Sequence, residues 1–235
     1  ENFSINGLPT PSIEDWKYTS LKALDSIGTG NKSSLNLDQL DLDWFPAELE
    51  SHKMVFVNGR FDKNLSELGS FSKGIKVQPL SETLRNEPAM LQNYLGQVGS
   101  IKEFPVLALN TAFIEDGFVI LIEDAVLEKP VEVIYISQGN GDTAYHPRNL
   151  VVAKDSASVT ILERNIGIGD GPYLVNNVTE IIVDDDSSVK HYRLLEDSIG
   201  GVNLSTVETR VGKRANFDSF ILSTGGRMSR SEIHV

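Results

Sequence analysis

Three stretches of this sequence obey one grammar. Val151-Val152-Ala153 is followed by the turn residues Lys154-Asp155-Ser156-Ala157-Ser158 and then by Val159-Thr160-Ile161-Leu162. The same order returns as Ile181-Ile182-Val183, Asp184-Asp185-Asp186-Ser187-Ser188, Val189-Lys190-His191-Tyr192, and again as Thr209-Arg210-Val211, Gly212-Lys213-Arg214-Ala215-Asn216, Phe217-Asp218-Ser219-Phe220. A looser copy runs from Val119-Ile122 through eight connecting residues to Val131-Glu132-Val133-Ile134-Tyr135. The second strands begin at 131, 159, 189 and 217, in steps of 28, 30 and 28 residues. A fixed period of this size is what stacked architectures produce, because each unit buries its apolar face only against its neighbours. The pattern predicts a mainly β protein, a parallel β-helix with two strands per coil. An antiparallel sandwich of hairpins is the alternative, since five-residue loops are ordinary there too. Constant turn length and period favour the solenoid. Ser231-Glu232-Ile233-His234-Val235 reads as the first strand of a fifth coil, so the natural protein is expected to continue.

The residues before this repeat have another texture, and the chain divides into a small N-terminal α+β region, residues 1–104, and a parallel β-helix core, residues 105–235, incomplete at its C-terminus. Ser12 and Asp15 resemble a capping box ahead of Trp16, Leu21 and Leu24, which can share a helical face. Met54-Val55-Phe56-Val57-Asn58-Gly59-Arg60-Phe61 places β-formers around an Asn-Gly dipeptide and predicts a hairpin. Leu80, Leu84, Leu91 and Leu95 fall at helical spacing, interrupted by Pro88. After Pro105 the helical periodicity stops.

Composition excludes several function classes. Acidic residues number 33 against 21 basic, a net charge of -12, which repels a phosphate backbone and argues against nucleic acid as a partner. The chain has no cysteine, so disulfides, thiolate nucleophiles and Cys-ligated zinc or iron-sulfur centres are out within these residues. The longest apolar run, Phe118 to Ile122, is far short of a membrane span, and no signal segment opens the chain, so a cytoplasmic protein without membrane contact is expected. The chain starts at Glu1 without methionine, and native sequence is expected to precede it.

Few residues suggest chemistry. His52, His146, His191 and His234 lack the spacing that puts two metal ligands on one face. His191 lies two residues after Val189 and faces the same way, as a hydrogen-bonded, partly buried imidazole. Asp184-Asp185-Asp186 suggests calcium, but its equivalents Lys154-Asp155-Ser156 and Gly212-Lys213-Arg214 mark the position as a solvated turn. Gly167-Ile168-Gly169-Asp170-Gly171 superficially resembles a phosphate cradle, yet Pro172-Tyr173-Leu174-Val175 leads into a strand rather than a helix, so it reads as a flexible loop, as does Gly139-Asn140-Gly141-Asp142. No serine sits in a nucleophile elbow. Glu163 and Glu180 exemplify carboxylates that a glycoside hydrolase would need, with no further support. Trp44 and Phe45 mark an interaction patch or, more simply, a contact between the N-terminal region and the core.

Specific strings carry more. Asp15-Trp16-Lys17-Tyr18-Thr19, Leu109-Asn110-Thr111-Ala112-Phe113, Asp116-Gly117, Lys129-Pro130-Val131, His146-Pro147-Arg148-Asn149-Leu150, Thr160-Ile161-Leu162-Glu163, Asn177-Val178-Thr179-Glu180-Ile181 and Arg227-Met228-Ser229-Arg230-Ser231-Glu232 occur in order along nearly the whole chain. Together they resemble the SufB/SufD family of the Suf iron-sulfur cluster assembly system, with Trp16 and Tyr18 favouring its SufD branch. The resemblance implies a right-handed parallel β-helix behind a small α+β region. It implies a non-catalytic scaffold subunit in complex with a SufB-like paralogue and a SufC-type ABC ATPase, with a homodimer as a further option. No cofactor is expected on this segment; an iron-sulfur cluster, and flavin as an option, belong to the assembled complex only. No catalytic, cofactor-binding or metal residue is transferred, because the family's partner interface and helical C-terminal segment would lie beyond Val235. A carbohydrate-active or carbohydrate-binding β-helix is the alternative function.

Overall fold

The computed structural model describes residues 7–26, 50–99, 104–139 and 143–235. Trp44, Phe45 and Asn140 to Asp142 lie outside these residues.

Two sheets face each other, and each coil of chain gives one strand to each. The first sheet contains β1 (His52–Val57), β2 (Arg60–Phe61), β5 (Val131–Gln138), β8 (Ser158–Ile168), β10 (Ser188–Asp197) and β12 (Asn216–Gly225), in the order β12-β10-β8-β5-β1-β2. The second contains β3 (Ile75–Pro79), β4 (Phe118–Glu123), β7 (Arg148–Lys154), β9 (Tyr173–Val183), β11 (Gly201–Val211) and β13 (Met228–His234), in the order β13-β11-β9-β7-β4-β3, with the short β6 (Thr143–Tyr145) beside β9. All pairings are parallel except β1 with β2 and β3 with β4. The fold is the β-solenoid that the repeat predicts, with two strands per coil.

The register refines that repeat. Val159, Val189 and Phe217 are direct ladder neighbours, as their spacing requires. Val131, however, stands beside Ile161 rather than Val159. The first full step is therefore thirty residues, because the longer connection before Pro130 displaces β5 by two positions. A two-residue shift preserves which side chains face inward, so the looser copy still fits the stack.

Between the sheets one half of the interior is apolar, filled by Val133, Val151, Ile161, Ile181, Val189 and Val207. β-branched side chains suit this pleated, stacked surface. The turns beside this half hold left-handed residues at the same corner of successive coils: Asp155, Ser156, Asp186 and Arg214, with φ between 54 and 64°. Short polar side chains tolerate that conformation best, and Arg214 is held there by paired contacts of 2.6 Å from its Nε and Nη2 to the Asp186 carboxylate. At the opposite corner glycines permit close approach. A Cβ on Gly167 would overlap the Tyr173 hydroxyl and the Ser198 backbone nitrogen. The Gly167–Gly171 stretch is thus a tightly stacked corner rather than a free loop.

The N-terminal region covers the outer face of the second sheet. Short 3-10 turns at Glu14–Trp16 and Leu21–Ser26 press Trp16, Leu21 and Leu24 onto Leu174, Val202 and Leu204. These three residues do share a buried face, but the expected capping box is absent: the residue before the first turn is Ile13, without a side-chain cap. Helices α1 (Leu80–Asn86) and α2 (Pro88–Leu91) bury Leu80 and Leu91 on Val119, Leu150 and Val152, while Leu84 points to solvent. Pro88 begins α2 instead of merely breaking a helix, as a first-turn proline can. The Asn58-Gly59 hairpin joins β1 and β2 as expected.

A further helix, α3 (Pro105–Phe113), corrects the expectation that helix ends at Pro105. Its residues Val106 to Asn110 are all buried, so no polar face marks its period. The same covering explains β9, buried along its whole length, whereas β10 alternates buried and mostly half-buried residues.

Gly167→Ala is expected to lower stability by about 1–3 kcal/mol through overpacking of this corner, measured by urea unfolding with unchanged m-value.

Candidate functional site: a buried polar core

The other half of the interior is polar. Asn149 on β7 accepts hydrogen bonds at Oδ1 from the Phe118 N–H (3.2 Å) and the Tyr135 hydroxyl (2.7 Å), and its Nδ2 donates to Asn177 Oδ1 (2.8 Å) and Thr179 Oγ1 (3.0 Å). Asn177 Nδ2 donates in turn to Glu163 Oε1 at 2.5 Å, and Asn165 Nδ2 reaches the same oxygen at 3.1 Å. His191 Nε2 lies 3.0 Å from Glu163 Oε2. The seam crosses three coils without contacting solvent, because inward positions of parallel strands stack directly.

Protonation follows from this geometry. Burial pushes the Glu163 carboxyl up, but the His191 hydrogen bond, with Arg193 and Asn165, outweighs it and holds the group below its ordinary range. Burial lowers His191, more than the carboxylate raises it. We therefore assign an ionised Glu163 and a neutral imidazole whose Nε2–H donates to it. The sequence expectation of a hydrogen-bonded His191 holds, and its side chain is fully buried. Tyr135 is pushed well up by burial and by the charges of Glu163 and Asp116, so it remains a neutral donor.

A second buried charge pair sits on the outer face of the second sheet, beneath α3 and the 92–99 segment. Arg148 donates from Nε (3.1 Å) and Nη2 (2.5 Å) to Glu180 Oε1, while the backbone N–H groups of Gly96 (2.8 and 2.9 Å) and Val98 (3.3 Å) also point at that carboxylate. Asn110 on α3 ties the helix down by donating to Pro147 O and Asn176 O, both at 2.8 Å. Asp116 collects the N–H groups of Ser81 (2.9 Å), Gly117 (2.9 Å) and Phe61 (3.0 Å). Gly117 is required beside it, since a Cβ there would overlap the Arg148 carbonyl. Near the last strand, Arg230 stacks on Trp16 at 4.1 Å, donates to Thr19 at 3.0 Å and pairs with Glu232. These residues come largely from the strings quoted above, and the structure uses them as internal staples.

The other sequence candidates are dispersed. His52 bonds the Leu68 carbonyl at 2.7 Å, His146 stacks on Phe113, and His234 meets the Phe104 ring at a tilt, 4.5 Å between centroids. Among the described residues no group of three or more His, Asp or Glu side chains is placed to hold a metal ion. In the Asp184–Asp186 turn, Asp185 accepts the Lys213 N–H (2.8 Å) and Asp186 pairs with Arg214. β8 runs through Gly167 to Ile168 and β9 opens at Tyr173, so no helix follows the glycines. Glu163 faces the interior and Glu180 the outer surface, with the second sheet between them; they cannot flank one glycosidic bond. Sequence reasoning missed Arg148, Arg193 and Asp197. For Arg193 a signal existed, since it continues the inward alternation of Val189 and His191. For Arg148 with Glu180 none did, because their partners come from segments distant in sequence.

The same strings align with known proteins. A sequence model of the SufBD protein N-terminal region matches residues 1–133, and one of the SUF system FeS cluster assembly SufBD core domain matches residues 135–235. The chain belongs to the SufBD family. It is similar to the iron-sulfur cluster assembly SufBD family protein slr0076 of Synechocystis, 28% identical over 97% of this chain and 52% of that protein. It is similar to the chloroplastic protein ABCI7 of Arabidopsis thaliana, 26% identical over 97% of this chain and 49% of that one. With the iron-sulfur cluster assembly protein SufD of Bacillus subtilis it shares 28% identity over 63% of this chain and 34% of the relative. This SufBD chain thus spans about half the length of the first two relatives.

Two outcomes are expected. Arg148→Met strands the Glu180 carboxylate and costs about 3–5 kcal/mol in chemical unfolding, whereas Arg148→Met with Glu180→Leu recovers most of the loss. For pH, His191 and Glu163 are both depressed in the folded state, so the unfolded chain binds the extra proton first. Stability present above pH 6.5 falls as pH drops, with a slope of up to about 1.4 kcal/mol per unit from His191 alone. His191→Gln flattens the profile between pH 6.5 and 5, read from unfolding midpoints.

Proposed function

We propose that this chain is part of a SufD-like, non-catalytic scaffold subunit of the Suf machinery, working with a SufB-like paralogue and a SufC-type ABC ATPase. The observation that supports this most is family membership over both regions of the chain, on a solenoid whose matching residues are spent on internal rigidity. A stiff stack presents fixed surfaces to partners, and it needs no reactive group of its own. With no cysteine in its 235 residues, thiolate ligands for a cluster would come from a partner or from sequence outside this stretch; the cluster is cargo in this reading. No helix among the described residues is long and apolar enough to cross a membrane. The compartment is proposed to be wherever the host assembles clusters, cytosol or plastid, one relative being named chloroplastic.

The test is affinity capture with the full-length native protein as bait in extract of its own cells, with and without ATP, followed by mass spectrometry. Co-recovery of an ABC-type ATPase and a paralogous β-solenoid protein is expected. Recovery of neither, from bait shown to be folded, refutes the proposal.

A further inference from the structure

One carboxylate on the outer face of the second sheet has no part in the staples described above. Glu208 on β11 is the direct ladder neighbour of Glu180 on β9 and of His234 on β13, so the three side chains stand in one row on that face. Glu208 is 3% exposed, and its Oε1 is buried with no hydrogen-bond partner among the described residues. Glu180 beside it is fully served. The Arg148 guanidinium and the N–H groups of Gly96 and Val98 converge on its carboxylate and hold it ionised.

The cover over Glu208 belongs to the same segment that caps Glu180. A Cβ on Gly99 would stand 2.7 Å from Glu208 Cγ and 2.9 Å from Leu107 Cδ1, so the chain at Gly99 is pressed against both strand and helix. Neither residues 92–99 nor α3 carries a charged side chain. The charged and titratable groups that face Glu208 come from the strands: Glu180 from β9, Arg148 from β7 but bound to Glu180, and Glu232 and His234 from β13, with Glu232 paired to Arg230. Arg210, two residues along β11, is exposed. Two carboxylates on adjacent rungs resist ionising together, and Glu180 holds the cation. Burial first, then the charges of Glu180 and Glu232, push the Glu208 carboxyl above its ordinary range, against the pull of His234 and Arg148.

We propose that Glu208 is a pH-operated latch: with its proton it lets residues 92–99 lie on the second sheet, and without it the charge is driven towards water and lifts that segment. Above the ordinary carboxyl value of 4.5 the unfolded chain loses a proton that the folded chain keeps. The contribution of this group to stability therefore falls as pH rises, until Glu208 ionises in the folded state as well. That direction is opposite to the one His191 imposes. The proposal is independent of the scaffold reading.

The experiment is hydrogen exchange of the Gly96 and Val98 amides, the two donors to Glu180, in the full-length protein from about pH 5 to 9, each rate divided by its intrinsic value. In the wild type the normalised rates are expected to climb with pH, by up to about tenfold per unit, while the far-UV circular dichroism stays constant. In Glu208→Gln they are expected to stay flat. A flat wild-type profile overturns the proposal, as would follow from a cation paired with Glu208 in the full-length protein. An equal climb in Glu208→Gln overturns it too. Should that variant not fold, the wild-type profile decides alone.

Discussion

The parallel ladder is the constraint on which the rest of this structure depends. It places the same position of each coil directly against its counterpart in the next, at about 4.8 Å. Whatever one coil sends inward must therefore suit two neighbours at once. Apolar branched side chains meet that demand without further help, which accounts for Val159 beside Val189 and Ile161 beside Val131. Polar side chains meet it only as a connected set. Asn149 uses both lone-pair directions and both amide hydrogens, and Asn177 passes the connection to Glu163.

Such a seam is a poor source of raw stability, because the desolvation of Glu163, His191 and Arg193 offsets much of what their contacts return. Its effect is on uniqueness. A slip of one residue would turn Glu163 and Arg193 outward and bring Leu162 and Leu194 in, breaking every contact of the seam together. The outer pair of Arg148 with Glu180 has a comparable role between layers. It fixes the 92–99 segment and, through Asn110, α3 onto the second sheet at a single position.

Much of this was legible in the sequence. Turn length and period at 151–220 specify the stacking, and the looser first copy is misjudged by two residues only because its connection is longer. The helix at Pro105–Phe113 is hidden for a physical reason: five consecutive residues, Val106 to Asn110, are buried, so no alternation of apolar and polar faces marks it. His191 could be placed by its distance from Val189, and the same alternation pointed to Arg193. Arg148 and Glu180 could not be read as partners, since the carboxylate's other donors come from a segment 84 residues away. The family strings were recognisable as strings, but their meaning as hydrogen-bonded staples appears only once the coils are stacked.

The two ends of the stack are not equivalent. At its beginning both sheets are flanked by strands running against the rest, β2 beside β1 and β3 beside β4. At the other end β12 lies parallel to β10, and β13 parallel to β11. A strand running with the stack would meet β12 or β13 in parallel, but β2 or β3 only in antiparallel. This gives the molecule a direction of growth, and it is the direction in which a ribosome releases the chain. Each new coil emerges beside one already in place, so the solenoid can be built during synthesis without waiting for sequence still to be made.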